Sequence, residues 1–365
     1  MRVFVSGTRG IPNILGGVES HCEALYPRVI RNAVDVTLAR RSAYVSTENK
    51  LLEYKGIHIV DIYSPRKKSI EAIIHTFLAI CNAKSRGYKA IHIHAIGPAL
   101  VIPFARLLGL KVVMTHHGPD YDRQKWGKVA KTLLKLGEWC AAKFANEIIV
   151  ISNTIDTILK KKYNRYDAHL IHNGVVIPEI AKNDDYIRSL GLKKRKYIIA
   201  VGRFVPEKGW HDFVAASERI NKDYKIVFVG DADHPSKYSN EIKEKAKKAG
   251  VVLTGFIKGE KLHQVFSHAA LFVMPSYHEG LPIALLEALS YNLKTVVSNI
   301  PANLEVNLKK ENFFEVGNTL QLAEKINQQL TLSEQPNYKL LLEEKYNWDI
   351  IADQTVEVYK KVMGN

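Results

Sequence analysis

The chain has 365 residues, 46% of them hydrophobic and 24% charged, a balance typical of a globular protein large enough for two domains. It contains no run of about 18 uncharged apolar residues, so no transmembrane helix is predicted. Residues 2–6 lead into Gly7 as a strand rather than as a signal peptide, and the three widely spaced cysteines argue against a disulfide framework or a zinc site. These features predict a cytoplasmic protein.

The net charge of +15 is concentrated in the first half of the chain. Residues 1–180 hold 26 basic and 14 acidic residues, a net charge of +12, and the remainder carries +3. A basic half is typical of proteins that bind nucleic acid or an anionic membrane surface, and it also occurs on ordinary solvated faces. Zinc-finger spacing, an RNA-recognition signature and basic-zipper heptads are missing from the sequence, which disfavours nucleic acid as a partner.

Apolar segments alternate with helical patterns along the whole chain, which predicts the α/β class with doubly wound parallel sheets. In the first half the predicted strands are residues 2–6, 34–39, 57–62, 90–94, 111–116 and 147–151. In the second half they are residues 197–201, 225–230, 251–253, 269–274 and 294–298. Residues 311–345 are predicted to be mostly helical, and a terminal helix follows.

A glycine-rich loop over residues 7–19 follows the first predicted strand and leads into a helix. Its spacing is not that of the G-x-G-x-x-G dinucleotide fingerprint. Glycine still lets the backbone approach a ligand closely, and open α/β sheets bind ligands at the carboxyl ends of their strands. The loop, which contains Gly16 and Gly17, is therefore either part of a ligand site or a plain connection.

Histidines lie at the ends of two predicted strands. His92 and His94 are two residues apart on one strand and so face the same side of the sheet. No carboxylate or cysteine lies near them in the sequence, so a structural or loop-lining role is favoured over a metal site. The loop after the next strand contains His117, Asp120 and Arg123. Polar side chains at that position indicate a site, and the ordinary polarity of surface loops is the alternative.

Two cations lie in one glycine-bounded turn after the strand at residues 197–201. The turn begins at Gly202, contains Arg203 and Lys208, and ends at Gly209. Charge-assisted hydrogen bonds from such groups to phosphate oxygens are strong, so the turn suits a diphosphate. Two solvated side chains are the alternative.

A strand, a turn and a helix start are predicted around Glu279. The strand stops at Pro275, Glu279 and Gly280 lie in the turn, and the helix carries Glu287 about two turns further on. Free backbone N–H groups at a helix start bind anions, and two carboxylates beside them suit the hydroxyls of a sugar attached to a diphosphate. Complementation of the helix dipole is the alternative explanation for Glu279.

These segments resemble a known family. Residues 202–209 and 275–288 resemble the motifs of the family 4 retaining glycosyltransferases, which have the GT-B fold. Residues 7–19 and 116–126 resemble a bacterial subgroup of surface-polysaccharide assembly that includes rhamnosyltransferases. The resemblance implies two Rossmann-like domains that face each other across a cleft. It implies domains over residues 1–178 and 179–345, a hinge near residues 172–175, and a terminal helix over residues 346–365 that crosses back to the first domain.

The resemblance also implies roles for individual residues. The catalytic set would be Arg203 and Lys208 at the leaving diphosphate, Glu279 at the donor sugar and His117 near the transferred carbon. The other implied donor-binding residues are Gly16, Gly17, Gly202, Phe256, Gly280, Leu281 and, at the nucleotide ribose, Glu287. On the acceptor side the implied residues are Asp120 and Arg123. The rhamnosyl enzymes often have Asp where this chain has His117, so the donor sugar stays open.

The implied reaction is retaining transfer of a sugar from a nucleoside diphosphate to a lipid-linked or polysaccharide acceptor, by a hexosyltransferase-type enzyme without a metal or cofactor. In this chemistry a phosphate oxygen of the leaving group helps to remove the acceptor proton, and a His/Asp pair acting as base is the alternative. Two other functions stay open: another GT-B activity such as a nucleotide-sugar epimerase, and a non-enzymatic basic protein that binds membrane or nucleic acid.

Basic amphipathic helices add a membrane surface to the expected partners. Lys128, Lys131 and Lys135 share one helical face, and residues 66–68 place three further cations before an apolar helix. Such helices suit anionic lipid, which predicts a peripheral position on the inner face of the plasma membrane. Ordinary surface helices packed on the sheet are the alternative.

Overall fold

The computed structural model describes residues 1–14, 16–47, 49–66, 70–122, 127–232 and 235–364. The chain divides into two compact units, one formed by Met1–Gly174 together with Tyr346–Asn365 and the other by Val175–Lys345. The boundary between Gly174 and Val175 lies within the segment predicted as the hinge. Among the described residues, no helix combines the length and the apolar character needed to span a membrane.

The first unit is built on an eight-stranded sheet with the order β3-β4-β2-β1-β5-β6-β7-β8. All neighbouring strands are parallel except β3, which is antiparallel to β4. The strands are β1 (Arg2–Ser6), β2 (Asp35–Arg41), β3 (Glu53–Tyr54), β4 (Ile57–Ile62), β5 (Ala90–His94), β6 (Lys111–His116), β7 (Glu147–Val150) and β8 (His169–Leu170).

The second unit contains a six-stranded parallel sheet with the order β11-β10-β9-β12-β13-β14. Its strands are β9 (Tyr197–Val201), β10 (Lys225–Val229), β11 (Val252–Gly255), β12 (Leu271–Met274), β13 (Lys294–Ser298) and β14 (Phe313–Phe314). Residues 311–345 were expected to be mostly helical, so β14 corrects that expectation at its start.

Helices connect the strands of both sheets. They are α1 (Gly17–Arg31), α2 (Glu71–Ser85), α3 (Ile102–Leu107), α4 (Lys128–Phe144), α5 (Asn153–Tyr163), α6 (Asp185–Ser189), α7 (Trp210–Ala216), α8 (Lys237–Lys248), α9 (Glu260–Ser267), α10 (Ile283–Ser290), α11 (Pro301–Leu304), α12 (Thr319–Thr331), α13 (Lys339–Lys345) and α14 (Trp348–Met363). The strand–helix alternation predicted from the sequence is therefore confirmed in both halves.

The differences from the predicted elements have physical causes. Strand β2 continues through Arg40 and Arg41, beyond the predicted end at residue 39, although both side chains are buried cations. The Arg40 guanidinium binds the Asp61 carboxylate at 2.7 and 3.1 Å, and Arg41 binds Glu71 at 2.9 Å. These ion pairs let the strand continue where the apolar pattern stops. The two-residue strands β3, β8 and β14 are too short to produce a period in the sequence.

The terminal helix α14 completes the hydrophobic core of the first unit. It packs against α1, where Leu25 and Val29 are buried as the apolar pattern predicts. Trp348 and Tyr359 of α14 are buried in the same core. The core of the first unit therefore depends on residues that follow the whole second unit in the chain.

Each sheet has one point at which the winding direction reverses. In the first unit the chain winds outward from β1 through β2, then returns to add β5 on the other side of β1. In the second unit the same reversal separates β9 from β12. In open α/β sheets the loops at the carboxyl ends of the strands beside such a point form the ligand site. Each unit therefore has its own candidate ligand edge, after β1 and β5 in the first unit and after β9 and β12 in the second.

Helix α4 gives a test of the packing in the first unit. A Cβ at Gly137 would lie 2.0 Å from the carbonyl oxygen of Ile96, so alanine has no room there. Helix propensity alone favours Gly137→Ala by about 1 kcal/mol. We expect the clash to reverse that sign and to destabilise the protein by about 1–3 kcal/mol, as overpacking does.

Denaturant unfolding of Gly137→Ala measures this effect. Thr132→Ala is the matched control, since Thr132 is exposed on the same helix and its change should stay within about 0.5 kcal/mol. A Gly137→Ala protein more stable than wild type would contradict the close approach of α4 to Ile96.

Candidate functional site

An ion pair joins the loops on the two sides of the reversal point in the second unit. The Lys208 ammonium, after β9, lies 2.5 Å from the Glu279 carboxylate, after β12. The same carboxylate oxygen accepts a hydrogen bond from the Ser276 hydroxyl at 2.7 Å. Both charged side chains are largely buried, with 19% and 11% of their surface exposed. Two residues predicted from separate motifs are thus brought into direct contact.

Backbone contacts hold these two loops against each other. Gly209 has a φ of +66°, and a Cβ there would lie 2.0 Å from the carbonyl oxygen of Pro275. The Tyr277 backbone N–H donates to the carbonyl of Glu207 at 2.8 Å. The glycine that ends the cation turn is therefore required both by its conformation and by the close approach of the second loop.

Arg203 lies on the same turn as Lys208 and is half-buried. Its carbonyl oxygen accepts a hydrogen bond from the indole N–H of Trp210 at 2.8 Å, and Trp210 is fully buried in the core of the second unit. A Cβ at Gly230 would lie 2.0 Å from the carbonyl oxygen of Gly202, so the start of the turn is confined as well. The turn that carries both cations is fixed by the core beneath it.

The other predicted donor-binding residues of this unit lie at the same edge of the sheet. Leu281 is buried and Gly280 half-buried in the loop before α10. Phe256 follows β11, two strands away from β9, and half of its ring surface is exposed. The edge after β9, β10, β11 and β12 thus carries an exposed aromatic ring at one end and the ion pair at the other.

Glu287 lies on α10, two turns beyond Glu279 in the chain. Its side chain retains some exposure, yet burial of the carboxyl raises its pKa to about 7. Near neutral pH the carboxyl can therefore hold a proton, and in that form it can donate as well as accept a hydrogen bond.

This raised pKa gives a prediction for stability. The carboxyl ionises near pH 4.5 in the unfolded chain and near pH 7 in the folded protein, so wild-type stability falls as pH rises between these values. Gln does not titrate. We expect Glu287→Gln to gain on the order of 3 kcal/mol relative to wild type between pH 4 and pH 8.

Urea unfolding at both pH values measures the gain, with Glu244→Gln on the exposed face of α8 as the control that should show none. A constant difference between Glu287→Gln and wild type across this range would show that the carboxyl titrates normally.

In the first unit the glycine loop after β1 packs on β5 and on its own helix. Gly7 has a φ of +96°, and a Cβ there would lie 2.2 Å from the carbonyl oxygen of His94. The Glu19 carboxylate accepts hydrogen bonds from the Arg9 backbone N–H at 2.8 Å and from the Thr8 hydroxyl at 3.1 Å. A Cβ at Gly16 would meet the same carboxylate at 1.9 Å. Gly16 is thus required by an internal contact, and Gly17 is the first residue of α1.

Histidines cluster where β5 and β6 end. The rings of His92 and His94 stack with centroids 4.2 Å apart, which confirms that they face the same side of the sheet. His94 Nδ1 lies 2.9 Å from His117 Nε2, and the His21 ring packs against both His94 and His117. We call His21, His94 and His117 the imidazole cluster.

Burial keeps these rings neutral. It lowers the pKa of His21 to about 4 and that of His92 to about 3. The pKa values of His94 and His117 also lie well below the usual value, because of burial first and of the neighbouring imidazoles second. An uncharged imidazole offers one lone pair and one N–H.

A second buried network lies next to this cluster and centres on Glu138 of α4. The carboxylate accepts hydrogen bonds from His116 Nε2 at 2.9 Å, from the Tyr121 hydroxyl at 3.1 Å and from the Tyr163 hydroxyl at 2.6 Å. Burial alone would raise its pKa, but the bonds from His116 and Tyr163 and the charge of Lys162 hold the pKa below its usual value. Glu138 therefore anchors the loop after β6 to α4 and α5.

The predicted acceptor-side residues are located only in part. Asp120 lies in the short turn Asp120–Asp122 after β6 and is half-buried. Arg123 lies outside the described residues, as do residues 67–69 of the basic segment before α2.

Sequence reasoning missed His21, Tyr26 and Glu138. The signal for them was present but weak: each is a polar residue on a helix face that otherwise buries apolar side chains. A buried polar side chain needs a partner, and in these three cases the partners come from β5, β6 or the loops behind them.

Comparisons with known proteins identify the family and the fold. A family model described as glycosyltransferase family 4 matches residues 15–177, and one described as glycosyl transferases group 1 matches residues 182–339. Among solved structures, HepE from Anabaena, in complex with UDP and glucose, superimposes with a TM-score of 0.81 at 17% identity, over 99% of both chains.

Two curated bacterial proteins are similar in sequence. A UDP-Gal:alpha-D-GlcNAc-diphosphoundecaprenol alpha-1,3-galactosyltransferase from Escherichia coli is 32% identical over 236 residues, 60% of each chain. A capsular polysaccharide biosynthesis glycosyltransferase from Staphylococcus aureus is 25% identical over 64% of this chain and 66% of its own length. The chain thus spans about 60% and 66% of the lengths of these two relatives.

The two parallel-sheet units, each with one reversal of winding, have the GT-B fold. The two family models together span most of the chain, and the chain belongs to the family 4 glycosyltransferases.

Proposed function

We propose that this protein is a retaining hexosyltransferase that moves a sugar from a nucleoside-diphosphate donor to a lipid-linked or polysaccharide acceptor. The observation that carries the proposal is the contact between Lys208 and Glu279 across the reversal point of the second sheet. The contact supports the proposal because an ammonium group suits phosphate, a carboxylate suits sugar hydroxyls, and the two lie side by side at the edge where open α/β sheets bind ligands.

The diphosphate is the part of the donor that these cations recognise. Arg203 and Lys208 lie on one rigid turn, and an arginine fork matches two phosphate oxygens. When the bond between the sugar carbon and the diphosphate breaks, negative charge grows on the leaving oxygen. Fixed cations stabilise this charge more in the transition state than in the substrate, which is the electrostatic term that accelerates the reaction.

The carboxyl groups recognise the neutral parts of the donor. In the proposed complex the Lys208 ammonium contacts both the donor phosphate and the Glu279 carboxylate. The Glu279 carboxylate also accepts hydrogen bonds from sugar hydroxyls. Glu287 binds the ribose hydroxyls, and its pKa of about 7 allows it to donate one bond and accept another. The backbone N–H groups of Gly280 and Leu281 add donors beside the phosphate.

The acceptor hydroxyl attacks the sugar carbon on the face that the diphosphate leaves, and its proton passes to a phosphate oxygen of the leaving group. The new bond joins the acceptor oxygen to the sugar carbon, so the anomeric configuration is retained. This proposal assigns His117 to the donor sugar near the reacting carbon and Asp120 to the acceptor side. It requires no divalent metal at the diphosphate, because Arg203 and Lys208 supply the positive charge.

Lipid-linked and polysaccharide acceptors are proposed from the relatives. The printed name of the Escherichia coli relative specifies a sugar on a lipid diphosphate as its acceptor, and that of the Staphylococcus aureus relative specifies capsular polysaccharide biosynthesis. The name of the first relative also makes UDP-galactose the first donor to test.

Loss of either cation should remove most of the transfer rate. We expect Arg203→Ala and Lys208→Ala to lower kcat by roughly 10²–10³, about 2.7–4 kcal/mol of transition-state stabilisation, at saturating donor. Stopped-time assays with a lipid-linked sugar acceptor and chromatographic separation of the product measure this loss, with EDTA present throughout.

The matched control is Lys247→Ala, which removes an exposed cation from α8 of the same unit and should keep the wild-type rate.

Thermal shifts with UDP, GDP, dTDP, ADP and CMP identify the nucleotide, and the shift should shrink in Arg203→Ala. Near wild-type turnover in both cation variants would exclude their role at the diphosphate, and loss of all activity in EDTA would exclude a metal-independent transfer.

Helix α4 supports a further part of the proposal, a peripheral position on an anionic membrane surface. Lys128 and Lys135 are exposed and Lys131 is half-buried on one face of the helix. Beside them lie apolar side chains that are also exposed, namely Val129 (77%), Leu136 (44%) and Trp139 (41%). A cationic face next to exposed apolar and aromatic groups suits the interface of a bilayer with anionic headgroups.

Charge reversal of α4 tests the membrane surface. We expect Lys128→Glu, Lys131→Glu and Lys135→Glu together to weaken binding to phosphatidylglycerol-containing vesicles by at least about 100-fold, since each cation near the surface contributes about 1 kcal/mol. Vesicle co-sedimentation at fixed salt measures the affinity. Three exposed lysines of α8 (Lys245, Lys247 and Lys248), changed in the same way, form the control. Equal losses of vesicle affinity in both triple variants would show that only the net charge of the protein matters. No loss in either variant would show that α4 is an ordinary surface helix.

A further inference from the structure

Three imidazole rings from three different elements converge in the first unit. His21 comes from α1, His94 ends β5, and His117 follows β6. One ring nitrogen of each lies within 4.8 Å of those of the other two. His21 and His94 are buried and His117 is half-buried. The cluster therefore brings three possible metal-ligand nitrogens together at a largely buried position.

His21 has one nitrogen committed to a neighbour and one aimed into the cluster. Its Nδ1 lies 2.7 Å from the side-chain oxygen of Asn173, so Nδ1 carries the proton and donates. Nε2 then holds a lone pair. Among the residues that the structure describes, this buried atom has no hydrogen-bond partner. A buried polar atom without a partner is costly, so its position calls for an explanation.

His94 is oriented by a chain of hydroxyls and a second histidine. The Tyr359 hydroxyl lies 2.6 Å from His92 Nδ1, and the Thr115 hydroxyl lies 2.7 Å from His92 Nε2. The Tyr26 hydroxyl lies 2.5 Å from His94 Nε2, and we assign the proton of this bond to Nε2, so that the hydroxyl accepts. The Nδ1 lone pair of His94 then faces the cluster, where His117 Nε2 lies 2.9 Å away.

We infer that the imidazole cluster binds one divalent transition-metal ion of the Zn²⁺ type through His21 Nε2, His94 Nδ1 and His117 Nε2. Neutral imidazole is a preferred ligand of such ions, and three histidines leave a fourth position open for water or an anion. Two of the three ligands already have an outer partner on the other ring nitrogen, as metal-bound histidines almost always do. Nitrogens around a tetrahedral ion lie roughly 3.3 Å apart. In the cluster His94 Nδ1 and His117 Nε2 are 2.9 Å apart, and the three ligand nitrogens all lie within 4.8 Å of one another.

A simple hydrogen bond between His94 and His117 explains less. It accounts for the 2.9 Å contact between these two rings but leaves the buried Nε2 of His21 without a partner. A bound cation uses all three lone pairs at once. It also explains why Asn173 and Tyr26 contact the ring nitrogens that point away from the cluster.

Metal binding would act on transfer as an inhibitor. This consequence rests on the proposed function, in which His117 lies at the donor sugar. An ion that takes the His117 lone pair removes it from the sugar, so Zn²⁺ should inhibit transfer and EDTA should restore it. The metal site itself does not depend on this role and is tested without substrate.

Titration of the metal-free protein with Co²⁺ and Zn²⁺ tests the site directly. We expect one ion per chain by calorimetry, and with Co²⁺ the visible absorption of a tetrahedral nitrogen-ligated ion. His21→Phe keeps a ring of similar shape but removes the lone pair, and it should abolish both signals. His117→Asn provides a second ligand variant at a half-buried position, and circular dichroism checks that both variants are folded.

Substitutions of residues that are not ligands themselves distinguish a specific metal site from adventitious metal binding. Asn173→Ala should weaken Zn²⁺ binding 10–100-fold, as loss of an outer partner does. Asn173→Asp should strengthen it, since a carboxylate makes His21 a more basic ligand. His58→Gln removes an exposed histidine elsewhere in the same unit and should leave binding unchanged. Binding that ignores His21 and Asn173 but falls with His58 would overturn the proposal.

The activity measurement distinguishes the two proposals. Each variant is compared with its own metal-free rate, and Zn²⁺ inhibition should disappear in His21→Phe. Tetrahedral Co²⁺ binding without any inhibition would keep the metal site and overturn the assignment of His117 to the sugar. Normal transfer in a protein that gives neither Co²⁺ absorption nor a binding isotherm would keep the proposed function and overturn the metal site.

Discussion

Parallel strands all end at the same edge of their sheet, and this constraint organises both units of the molecule. The reversal of winding between β1 and β5, and again between β9 and β12, opens a place at that edge where loops from neighbouring strands meet. Residues that are far apart in the chain become neighbours at this edge. Lys208 reaches Glu279 and His21 reaches His117 for the same topological reason, although the chemistry of the two places differs.

The ion pair of the second unit and the imidazole cluster of the first unit differ in whether their groups are charged. In the second unit a largely buried ion pair keeps two formal charges next to each other, on a turn that Gly209 and Trp210 hold rigid. In the first unit burial lowers the pKa values of the clustered histidines, so their rings are neutral. Each neutral ring then has one nitrogen that carries a proton and one that offers a lone pair. A site that must meet a diphosphate benefits from the first arrangement, and a site that offers lone pairs benefits from the second.

The sequence carried enough local pattern to predict most of this architecture. Apolar runs and glycine-bounded turns are signals that lie within a few residues of each other, so the strands before Gly7 and Gly202 and the turn around Arg203 could be predicted. The ion pair between Lys208 and Glu279 could not, because its two halves are separated by 71 residues and meet only through strand order.

The same limit explains the residues that were missed. His21 looks like an ordinary polar residue of an amphipathic helix until β5 and β6 bring two more imidazoles to it. Glu138 looks like a surface carboxylate until α4 turns it inward towards His116. Arg40 and Arg41 marked the end of a strand in the sequence pattern, whereas their ion pairs extend it. In each case the environment of a polar group depends on contacts distant in sequence.

The return of α14 to the first unit also bears on how the protein is made. The ribosome completes residues 175–345 before Trp348 and Tyr359 exist, so the second unit has its whole sequence available while the first still lacks part of its core. During that interval the buried face of α1 has no α14 to cover it. The usual order, in which the N-terminal domain of a nascent chain is completed first, is therefore reversed in this chain. The first unit therefore obtains its complete core only after α14 has been translated.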